Sequence, residues 1–544
     1  MPQLMVISGR TLILLSLVWL SFLVRGTFYS VLIPIWEGMD EYSHFDFVEY
    51  LSNGNDLPGP EHHVSAEISQ SLKLAPAPPT LSYLSLTSHD EFWLLPSEER
   101  SRRTEAMQVI PESLQREPGT ERMLESKQPP LYYWTATAAL WPFRNSSLID
   151  RVFLGRMFSV LLASSAVFLS FYAARLFFGD EQTAVQVAAL ITALPALFIS
   201  VSRVSNEPLA IALFSILTCC LILAVRGYSL AILGAELTLG LGLLTKAYFV
   251  AAIPAVTVAV LLVLWRAGKD KRNRLFGQIV VTGIVALSLC AWWYLGHLSS
   301  GSSPIWEDAA PVTGGSGTGV IRSLLAMQWY RAADFTLYSH VWLGGWSFLS
   351  LRSWIYHTFM YGLLAGLAGL GFFVLRNFRN RKAGVEEALL LALLYAGFWT
   401  SLMFHAYVSF SKVQHPASGG HYLYAAFVPE ILIVVLGLWQ FIPARWRGGA
   451  LVTITSAFVF LDLYSSHFVA LPYYVGAIRH TSAGSLQAFH ISDAAALGAH
   501  EWIERMLMNR PQALTPVLLL IIWGTSIVLS LALPFISNLS RKVR

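Results

Sequence analysis

Charged side chains are scarce in this 544-residue chain, since Asp, Glu, Lys and Arg make up only 13% of it. In soluble domains, charged residues make up about a quarter of the sequence. Hydrophobic residues reach 55%, and they gather in separate apolar runs of about 20 residues, the length that crosses roughly 30 Å of hydrocarbon. This composition excludes an ordinary soluble globule and indicates a polytopic membrane protein.

Cysteine clusters and nucleotide-binding motifs are also missing. The three cysteines, Cys219, Cys220 and Cys290, lie within apolar runs, so the sequence offers no disulfide framework and no paired-cysteine metal site. It contains no phosphate-binding P-loop and no glycine-rich dinucleotide fingerprint after a strand. The formal net charge is only +4, without a basic stripe, so we expect no nucleic-acid partner.

The apolar runs predict an all-α fold with about twelve transmembrane helices. The runs lie near residues 11–33, 152–178, 183–201, 208–225, 228–245, 249–266, 276–296, 355–376, 385–406, 421–442, 449–470 and 513–536. Basic residues cluster after the sixth, eighth, tenth and last runs, and the positive-inside rule makes that side cytoplasmic. Both termini are then expected on the cytoplasmic side.

These spans divide the chain into seven parts. We expect a first transmembrane helix (1–33), a large outer loop with juxtamembrane or interfacial helices (34–151), transmembrane helices two to seven (152–296), a second outer loop (297–354), transmembrane helices eight to eleven (355–470), a third outer loop (471–512), and a last transmembrane helix with a basic cytoplasmic tail (513–544). Residues 130–143 are apolar but too short to span, which favours an interfacial or re-entrant helix.

The first outer loop begins with two adjacent carboxylates and a histidine, Asp40, Glu41 and His44. On a helix they would share one side, because residues three and four apart are neighbours. A carboxylate at the mouth of a membrane cavity is partly desolvated, which raises its pKa and makes it a better base. The structural alternative is a helix capped by Asp40, with Glu41 favouring the dipole. The three side chains are also candidate ligands of a divalent metal.

Two further outer segments carry ionisable side chains. In the turn after the third run, Arg203 is followed by Glu207, which either stabilises a helix N-terminus or adds a second acid on the face of Asp40. Lys246 interrupts a long apolar stretch, where burying a charge costs roughly 2.5–3.5 kcal/mol. Its ammonium therefore either reaches the lipid headgroups or binds an anion.

Polar and aromatic residues mark two more outer positions. Gln128 precedes two prolines, which fix an extended start for a short helix that carries Tyr132 and Tyr133. This segment is either a rigid turn with interfacial tyrosines or the wall of a cavity. His421 and Tyr422 bring a titratable ring and a hydroxyl to the start of the tenth run. Acids and cations are thus predicted to converge on one membrane face from separate loops.

Taken in order, these segments resemble the GT-C superfamily of integral-membrane glycosyltransferases, which use polyprenyl-phosphate sugars. The similarity lies in an acidic pair followed by His44, then QPPLYY at 128–133, SNEPLA at 205–210, GLLTK at 242–246 and GHYL at 420–423. Together the motifs cover roughly residues 30–430 and are most similar to protein O-mannosyltransferases and lipid A aminoarabinose transferases.

The resemblance implies transfer of a hexose or pentose from a polyprenyl-phosphate donor to an acceptor hydroxyl on the extracytoplasmic face, with inversion. It implies a bacterial cell (inner) membrane location, a glycan, lipid or protein acceptor, and no cofactor unless a divalent metal binds. The implied roles are proton abstraction and acceptor positioning by Asp40, Glu41 and Glu207, donor-phosphate binding by Lys246, Arg203, His421 and Tyr422, and a cavity or acceptor wall from His44, Gln128, Tyr132 and Tyr133.

A secondary transporter or lipid flippase is the main alternative. That class predicts ionisable residues at mid-membrane and two related halves. Glu236, Glu430 and Asp462 lie within predicted spans and favour it, whereas the long first outer loop and the lack of related halves do not. A third alternative is an inactive relative that serves as a scaffold or receptor.

Overall fold

A computed structural model describes residues 7–299, 324–378, 384–413, 416–482 and 484–539. Ten helical segments in these ranges are long and apolar enough to cross a membrane. Their helices are Gly9–Leu32, Leu148–Phe178, Glu207–Val225, Ile253–Arg266, Lys269–Ser299, Ser353–Phe378, Val385–Val413, Phe427–Leu438, Ala444–Ser465 and Pro516–Leu539.

Two more apolar segments account for the remaining predicted spans. Helices Glu181–Ala193 and Pro195–Val201 form a pair bent by 64°, and Pro195 explains the bend because proline cannot continue the backbone hydrogen-bond ladder. Helix Ala231–Leu243 is apolar but only 13 residues long. Each of the twelve predicted runs therefore coincides with an apolar helical segment, and the prediction of an all-α multi-pass membrane protein is confirmed.

Several spans are extended by tighter or wider turns. The 3-10 turns Ala247–Ala252 and Gly420–Ala426 precede two of the spanning helices, and the π turn Ser466–Ala470 continues a third into helix Leu471–Tyr474. Such irregular segments place backbone and side chains where a straight helix would not, and they recur at functional sites.

Between the spans lie shorter elements. The helices are Glu41–Ser52, Ala66–Leu74, His89–Phe92, Ser97–Gln108, Leu131–Leu140, Trp329–Val341, Ile491–Leu497 and Ala499–Leu507, and the 3-10 turns are Pro79–Leu84, Glu112–Arg116, Leu124–Lys127 and Trp141–Phe143. Strands His63–Ser65 and Pro118–Arg122 pair antiparallel, with His63 opposite Arg122. The helix Leu131–Leu140 lies within the predicted interfacial segment.

Two spanning helices approach each other closely through glycine. A Cβ added to Gly437 would overlap the carbonyl oxygen of Gly366, and one added to Gly369 would overlap the Gly437 carbonyl. Close approach through small residues is the usual packing of membrane helices, because lipid supplies no hydrophobic drive toward association. This contact joins Ser353–Phe378 to Phe427–Leu438.

Arg156 determines how the chain leaves the first span. Its guanidinium donates to the carbonyl oxygens of Ser30 (3.0 Å), Ile33 (2.6 Å) and Pro34 (2.8 Å). It also binds both carboxylate oxygens of Glu41, at 2.7 and 2.5 Å. The carbonyls at a helix C-terminus have no partner within the helix, so one buried cation satisfies them and anchors the start of the following helix.

Glu37 joins three loops at the same end of the bundle, which we call the loop face. Its carboxylate accepts hydrogen bonds from His89 Nε2 (3.0 Å), from the backbone N (2.7 Å) and Oγ (3.0 Å) of Ser347, and from the Tyr474 hydroxyl (3.2 Å). Gly345 passes beside it with a φ of +60°, and a Cβ there would overlap the Glu37 carboxylate. We call these contacts the Glu37 hub, and they order the loop face around the residues that follow.

Candidate functional site

Five ionisable side chains meet on the loop face, each at a place where a spanning helix ends or breaks. Asp40 precedes helix Glu41–Ser52, and Arg203 lies in the turn before helix Glu207–Val225. Lys246 lies in the extended link after helix Ala231–Leu243, and His421 lies in a 3-10 turn. We call the set Asp40, Arg203, Glu207, Lys246 and His421 the ionic cluster, and its members come from separate segments of the chain.

Asp40 is the least restrained acid of the ionic cluster. Asp40 occupies the N-cap position with a φ of 54°, but its side chain makes no capping hydrogen bond to the helix that follows. Among the described residues none donates a hydrogen bond to its carboxylate, which is half-buried. Burial raises its pKa above the ordinary value of 3.8, although the positive charges of Arg203 and Lys246 act in the opposite direction. A left-handed aspartate held in this way is the kind of local strain that collects at functional sites.

Glu41 has a different role from its neighbour. It is fully buried, its two oxygens bind the Arg156 guanidinium, and one of them also accepts the backbone N–H of Val204 at 3.1 Å. The acid therefore connects the loop after the first span to the turn that carries Arg203. We reassign Glu41 from a predicted catalytic partner to a residue that positions Asp40 and Arg203.

Lys246 forms an ion pair with Glu207 instead of reaching outward to lipid headgroups. The ammonium contacts Glu207 Oε1, and the Tyr248 hydroxyl donates to the other carboxylate oxygen at 2.9 Å. The Lys246 nitrogen also lies 5.2 Å from the ring centre of Tyr248 and 5.8 Å from that of Tyr422. Aromatic rings stabilise a partly desolvated cation, so the two tyrosine rings and Glu207 hold the ammonium within the cluster.

Arg203 lines a small cavity beside Asp40. Its Nε donates to the Ser200 carbonyl at 3.2 Å and its Nη1 donates to the Met39 carbonyl, which leaves Nη2 without a hydrogen bond in the described part of the chain. The cavity, of about 20 Å³, is also lined by Met39, His421 and Tyr424. His421 Nδ1 is buried and has no partner among the described residues. Two nitrogen atoms are thus free to contact a ligand.

An apolar groove of about 260 Å³ lies next to this cavity. Ala196 and Tyr424 line both spaces, so the groove adjoins the ionic cluster. Its wall is almost entirely apolar, with side chains such as Leu363, Phe427 and Val434 from two spanning helices. A wall of this kind suits a hydrocarbon chain, while the cluster beside it suits an anionic head.

The four predicted cavity or acceptor residues lie behind the cluster. Tyr132 and Tyr133 are fully buried, with the Tyr132 hydroxyl 3.1 Å from Ser159 Oγ and the Tyr133 hydroxyl 2.8 Å from His44 Nδ1. Gln128 accepts a hydrogen bond from the Asn206 side chain at 3.2 Å. Burial, with the charges of Lys246 and Arg203, holds the pKa of His44 well below its usual range. We therefore reassign Tyr132, Tyr133 and His44 from substrate contact to support, whereas the half-buried Gln128 stays a predicted acceptor contact.

The metal hypothesis does not fit the donor groups. Within the described ranges, no group of three or more His, Cys, Asp or Glu side chains could hold a metal ion. The Glu41 carboxylate is already paired with the Arg156 guanidinium, and His44 contacts the Tyr133 hydroxyl instead of Asp40.

Two of the three intramembrane acids have ionic partners. Asp462 lies 3.0 Å from the Arg25 guanidinium and accepts the Tyr29 hydroxyl at 2.6 Å, and Glu430 lies 2.9 Å from His340 Nε2. In both Glu236 and Glu430 one carboxylate oxygen is buried without a hydrogen-bond partner in the described part of the protein. Ion pairs that join helices account for two of the acids that had favoured a transporter.

Sequence reasoning did not select Glu37, Arg156 and Tyr248. Arg156 carried a usable signal, because an arginine inside an apolar span must be paired, and an acid at the end of the first span was the nearest candidate. Tyr248 is two residues from Lys246 in sequence. The partners of Glu37 come from three distant loops, and no local pattern indicates them.

A family model matches most of the chain. The family described as "Predicted membrane protein (DUF2142)" matches residues 23–428, and the chain belongs to this family. The matched region contains all five members of the ionic cluster. No curated protein matches the chain significantly in sequence.

Two solved structures resemble the chain in their fold. ArnT from Cupriavidus metallidurans bound to undecaprenyl phosphate is 14% identical with a TM-score of 0.39, and the match covers 91% of this chain and 75% of that protein. The apo form of the same protein is 13% identical with a TM-score of 0.38, over 91% and 74% of the two chains. At this similarity, the function of this chain has to be inferred from its own residues.

Proposed function

We propose that this member of the DUF2142 family is a GT-C-type membrane glycosyltransferase that moves a sugar from a polyprenyl-phosphate donor to an acceptor hydroxyl. The observation that supports this most strongly is the position of Asp40. A half-buried carboxylate that accepts no hydrogen bond from the described residues shares one cluster with two cations, and an apolar groove adjoins that cluster. A lipid-linked anionic leaving group needs the groove and the cations, and the acceptor needs the base.

The donor is bound by its two chemically different parts. The polyprenyl chain lies in the apolar groove, where burial of hydrocarbon contributes roughly 25 cal/mol per Å². The phosphate lies near Arg203, Lys246 and His421, with Tyr422 beside the lysine. These groups stabilise the negative charge that grows on the phosphate as the sugar leaves.

Asp40 acts as the base in a single displacement. It takes the proton from the acceptor hydroxyl, and the resulting oxygen nucleophile forms the new bond to the anomeric carbon. The bond between that carbon and the phosphate oxygen breaks through an oxocarbenium-like state, and the electron pair leaves with polyprenyl phosphate. Attack opposite the leaving group inverts the anomeric configuration.

Glu207 and Glu41 do not contact the substrates in this scheme. Glu41 positions Asp40 and Arg203 through its contacts with Arg156 and the Val204 backbone. Glu207, with the Tyr248 hydroxyl, keeps the Lys246 ammonium directed at the cluster. In the absence of donor, Asp40 and Glu207 balance the charges of Arg203 and Lys246. Adding the donor phosphate therefore brings a new negative charge toward cations that are already positioned.

The orientation proposed for the protein in its membrane rests on the distribution of basic residues, and not on the geometry of the ionic cluster. We propose that both termini are cytoplasmic, that the loop face is extracytoplasmic, and that the membrane is the bacterial inner membrane. The acceptor is a glycan, a lipid or a protein.

A lipid flippase is the second candidate, favoured by the unpartnered oxygen of Glu236 in a short apolar helix. One experiment separates the two. Purified protein is reconstituted in sealed liposomes with radiolabelled polyprenyl-phosphate sugars, and the label is followed. A transferase removes the sugar from the lipid and leaves polyprenyl phosphate. A flippase moves label across the bilayer while it stays on the lipid, and that result would overturn the proposal.

A further inference from the structure

A second cavity opens in the first large loop, away from the ionic cluster. It has a volume of about 400 Å³ and lies at the C-terminal end of helix Glu41–Ser52. Its polar and aromatic lining includes Glu49, Asn53, Glu112, Arg116, Trp141 and Arg144. The volume lies within the range of small-molecule sites, about 300–1,000 Å³.

The floor of this cavity is held by a buried ionic network. The Glu49 side chain is only 8% exposed and binds the Arg151 guanidinium. Arg151 also binds both carboxylate oxygens of Glu67, at 2.6 and 2.8 Å. An acid held this firmly presents an acceptor in a fixed position, which is the preorganisation that a binding site needs.

The rim is formed by an aromatic side chain and a guanidinium. Trp141 is 46% exposed, and the Arg144 guanidinium lies 4.3 Å from the centre of its ring. Arg144 also donates to the Trp141 carbonyl at 3.2 Å, so the two side chains are held together. The pair forms a flat, partly apolar edge beside the charged floor.

The lining suits a neutral ligand rich in hydroxyl groups. Counted together with the Arg151–Glu67 pair beneath the floor, the cavity has three carboxylates and three guanidiniums and therefore no net formal charge. An anion would gain no net attraction from a lining without net charge, and a hydrocarbon would leave the polar groups unpaired. A saccharide matches both features, because its hydroxyls donate and accept while the C–H face of its ring packs on an aromatic face.

We propose that this cavity is a saccharide subsite that binds a glycan acceptor at a distance from the reacting hydroxyl. Asp40 precedes helix Glu41–Ser52, and the cavity lies at the other end of that helix, so the two sites are separated by roughly 18 Å of helix. One sugar ring cannot reach both. The inference rests on the proposed function and narrows its acceptor to an oligosaccharide chain.

The subsite has a kinetic consequence. Binding energy from a remote part of a substrate assists the reacting centre, so truncated substrates react more slowly. An acceptor too short to reach from Asp40 to Trp141 gains nothing from the cavity. Long acceptors are therefore used more efficiently than short ones, and removal of Trp141 abolishes that difference.

Binding is tested without any transfer. Full-length protein in nanodiscs is titrated with mannotetraose, maltotetraose and chitotetraose, and binding is followed by saturation-transfer-difference NMR. We expect at least one probe to bind, and Trp141→Ala to weaken it by about tenfold or more. Glu112→Gln, at an exposed position, gives a smaller loss and guards against misfolding of the first variant. Trp134→Ala is the matched control, because Trp134 is 41% exposed on the preceding helix but lies outside the cavity.

The outcomes separate this inference from the proposed function. Absence of binding at millimolar concentrations of all three probes, or equal losses in Trp141→Ala and Trp134→Ala, overturns the subsite. Displacement of the probe by phosphatidylglycerol identifies a lipid headgroup site and also overturns it. Probe binding in a protein that removes no sugar from any polyprenyl-phosphate donor contradicts the proposed function and leaves the subsite standing.

Discussion

Asp40 and Glu37 are acids of one short segment, three residues apart, and their surroundings differ completely. Glu37 accepts four hydrogen bonds from three loops, and its side chain is fully buried. The Asp40 carboxylate accepts none from the described residues, is half-buried, and is under the electrostatic influence of two cations, Arg203 and Lys246. The first environment stabilises a carboxylate permanently, and the second leaves one available for reaction.

This difference separates structural acids from reactive ones. A buried charge is tolerated when its hydrogen-bonding capacity is filled, and Glu37 and Glu41 both satisfy that condition. Asp40 does not, so its burial raises its pKa instead of adding to stability. We infer that Glu37 and Glu41 stabilise the loop face, whereas Asp40 is available for chemistry. The predictions below test this separation.

The largest effect is expected for Asp40→Asn. Asparagine has nearly the same shape but cannot accept the acceptor proton, and general-base catalysis contributes about 10²–10⁴-fold. Transfer should fall by that factor, measured as label leaving the polyprenyl-phosphate donor. Thermal stability should stay at the wild-type level, because no hydrogen bond among the described residues is lost. A variant that retains more than a tenth of wild-type transfer would contradict the assignment.

Next in size is Lys246→Met, which keeps the length of the side chain and removes the charge. We expect kcat/KM for the donor to fall by about 10²-fold, since an electrostatic contact to a leaving group contributes roughly 2.7–4 kcal/mol. Lys73→Met is the control, because Lys73 is exposed on helix Ala66–Leu74. Similar losses in both variants would argue against a direct role of Lys246 with the donor phosphate.

Glu37→Gln should produce the opposite pattern to Asp40→Asn. Replacing a charged acceptor in the Glu37 hub weakens up to four hydrogen bonds, and a cost of about 1–3 kcal/mol is expected. The melting temperature should decrease, as followed by loss of the monodisperse peak in size-exclusion chromatography after heating. Transfer per folded molecule should remain within a few-fold of wild type. A fully stable Glu37→Gln protein would show that the hub contributes little to stability.

The smallest expected effect is a shift in the pH dependence of sugar transfer. Because burial raises the pKa of Asp40, transfer should decline toward acid pH as Asp40 takes up a proton, at a pH above the ordinary aspartate range. Arg203→Gln removes a charge that favours the carboxylate, so this acid limb should move to higher pH. Arg102→Gln, on the exposed side of helix Ser97–Gln108, is the control. An acid limb that moves to lower pH in Arg203→Gln would contradict the electrostatic account of Asp40.

Much of this architecture could be predicted from sequence, because membrane helices follow directly from apolar length. Each predicted run has a helical counterpart, including the span bent at Pro195. The convergence of Asp40, Arg203 and Lys246 was also predictable, since charges beside apolar runs must lie at span ends or be paired.

The partners of these residues were not predictable. Sequence spacing places Glu41 beside Asp40, but it does not indicate that Glu41 forms an ion pair with Arg156, which lies more than a hundred positions later. For the same reason Tyr132 and Tyr133 seemed suited to a cavity wall, whereas tertiary packing buries both. Local patterns indicate which residues are polar, and only the fold determines which polar groups remain free.

The most direct test compares Asp40→Asn with Glu37→Gln in one preparation, measuring sugar release from the polyprenyl-phosphate donor per folded molecule together with thermal stability. Asp40→Asn should be as stable as wild type and nearly inactive, and Glu37→Gln should be less stable and active. If sugar release instead follows stability in both variants, Asp40 is a structural acid like Glu37, and the proposed role of the ionic cluster in sugar transfer is contradicted.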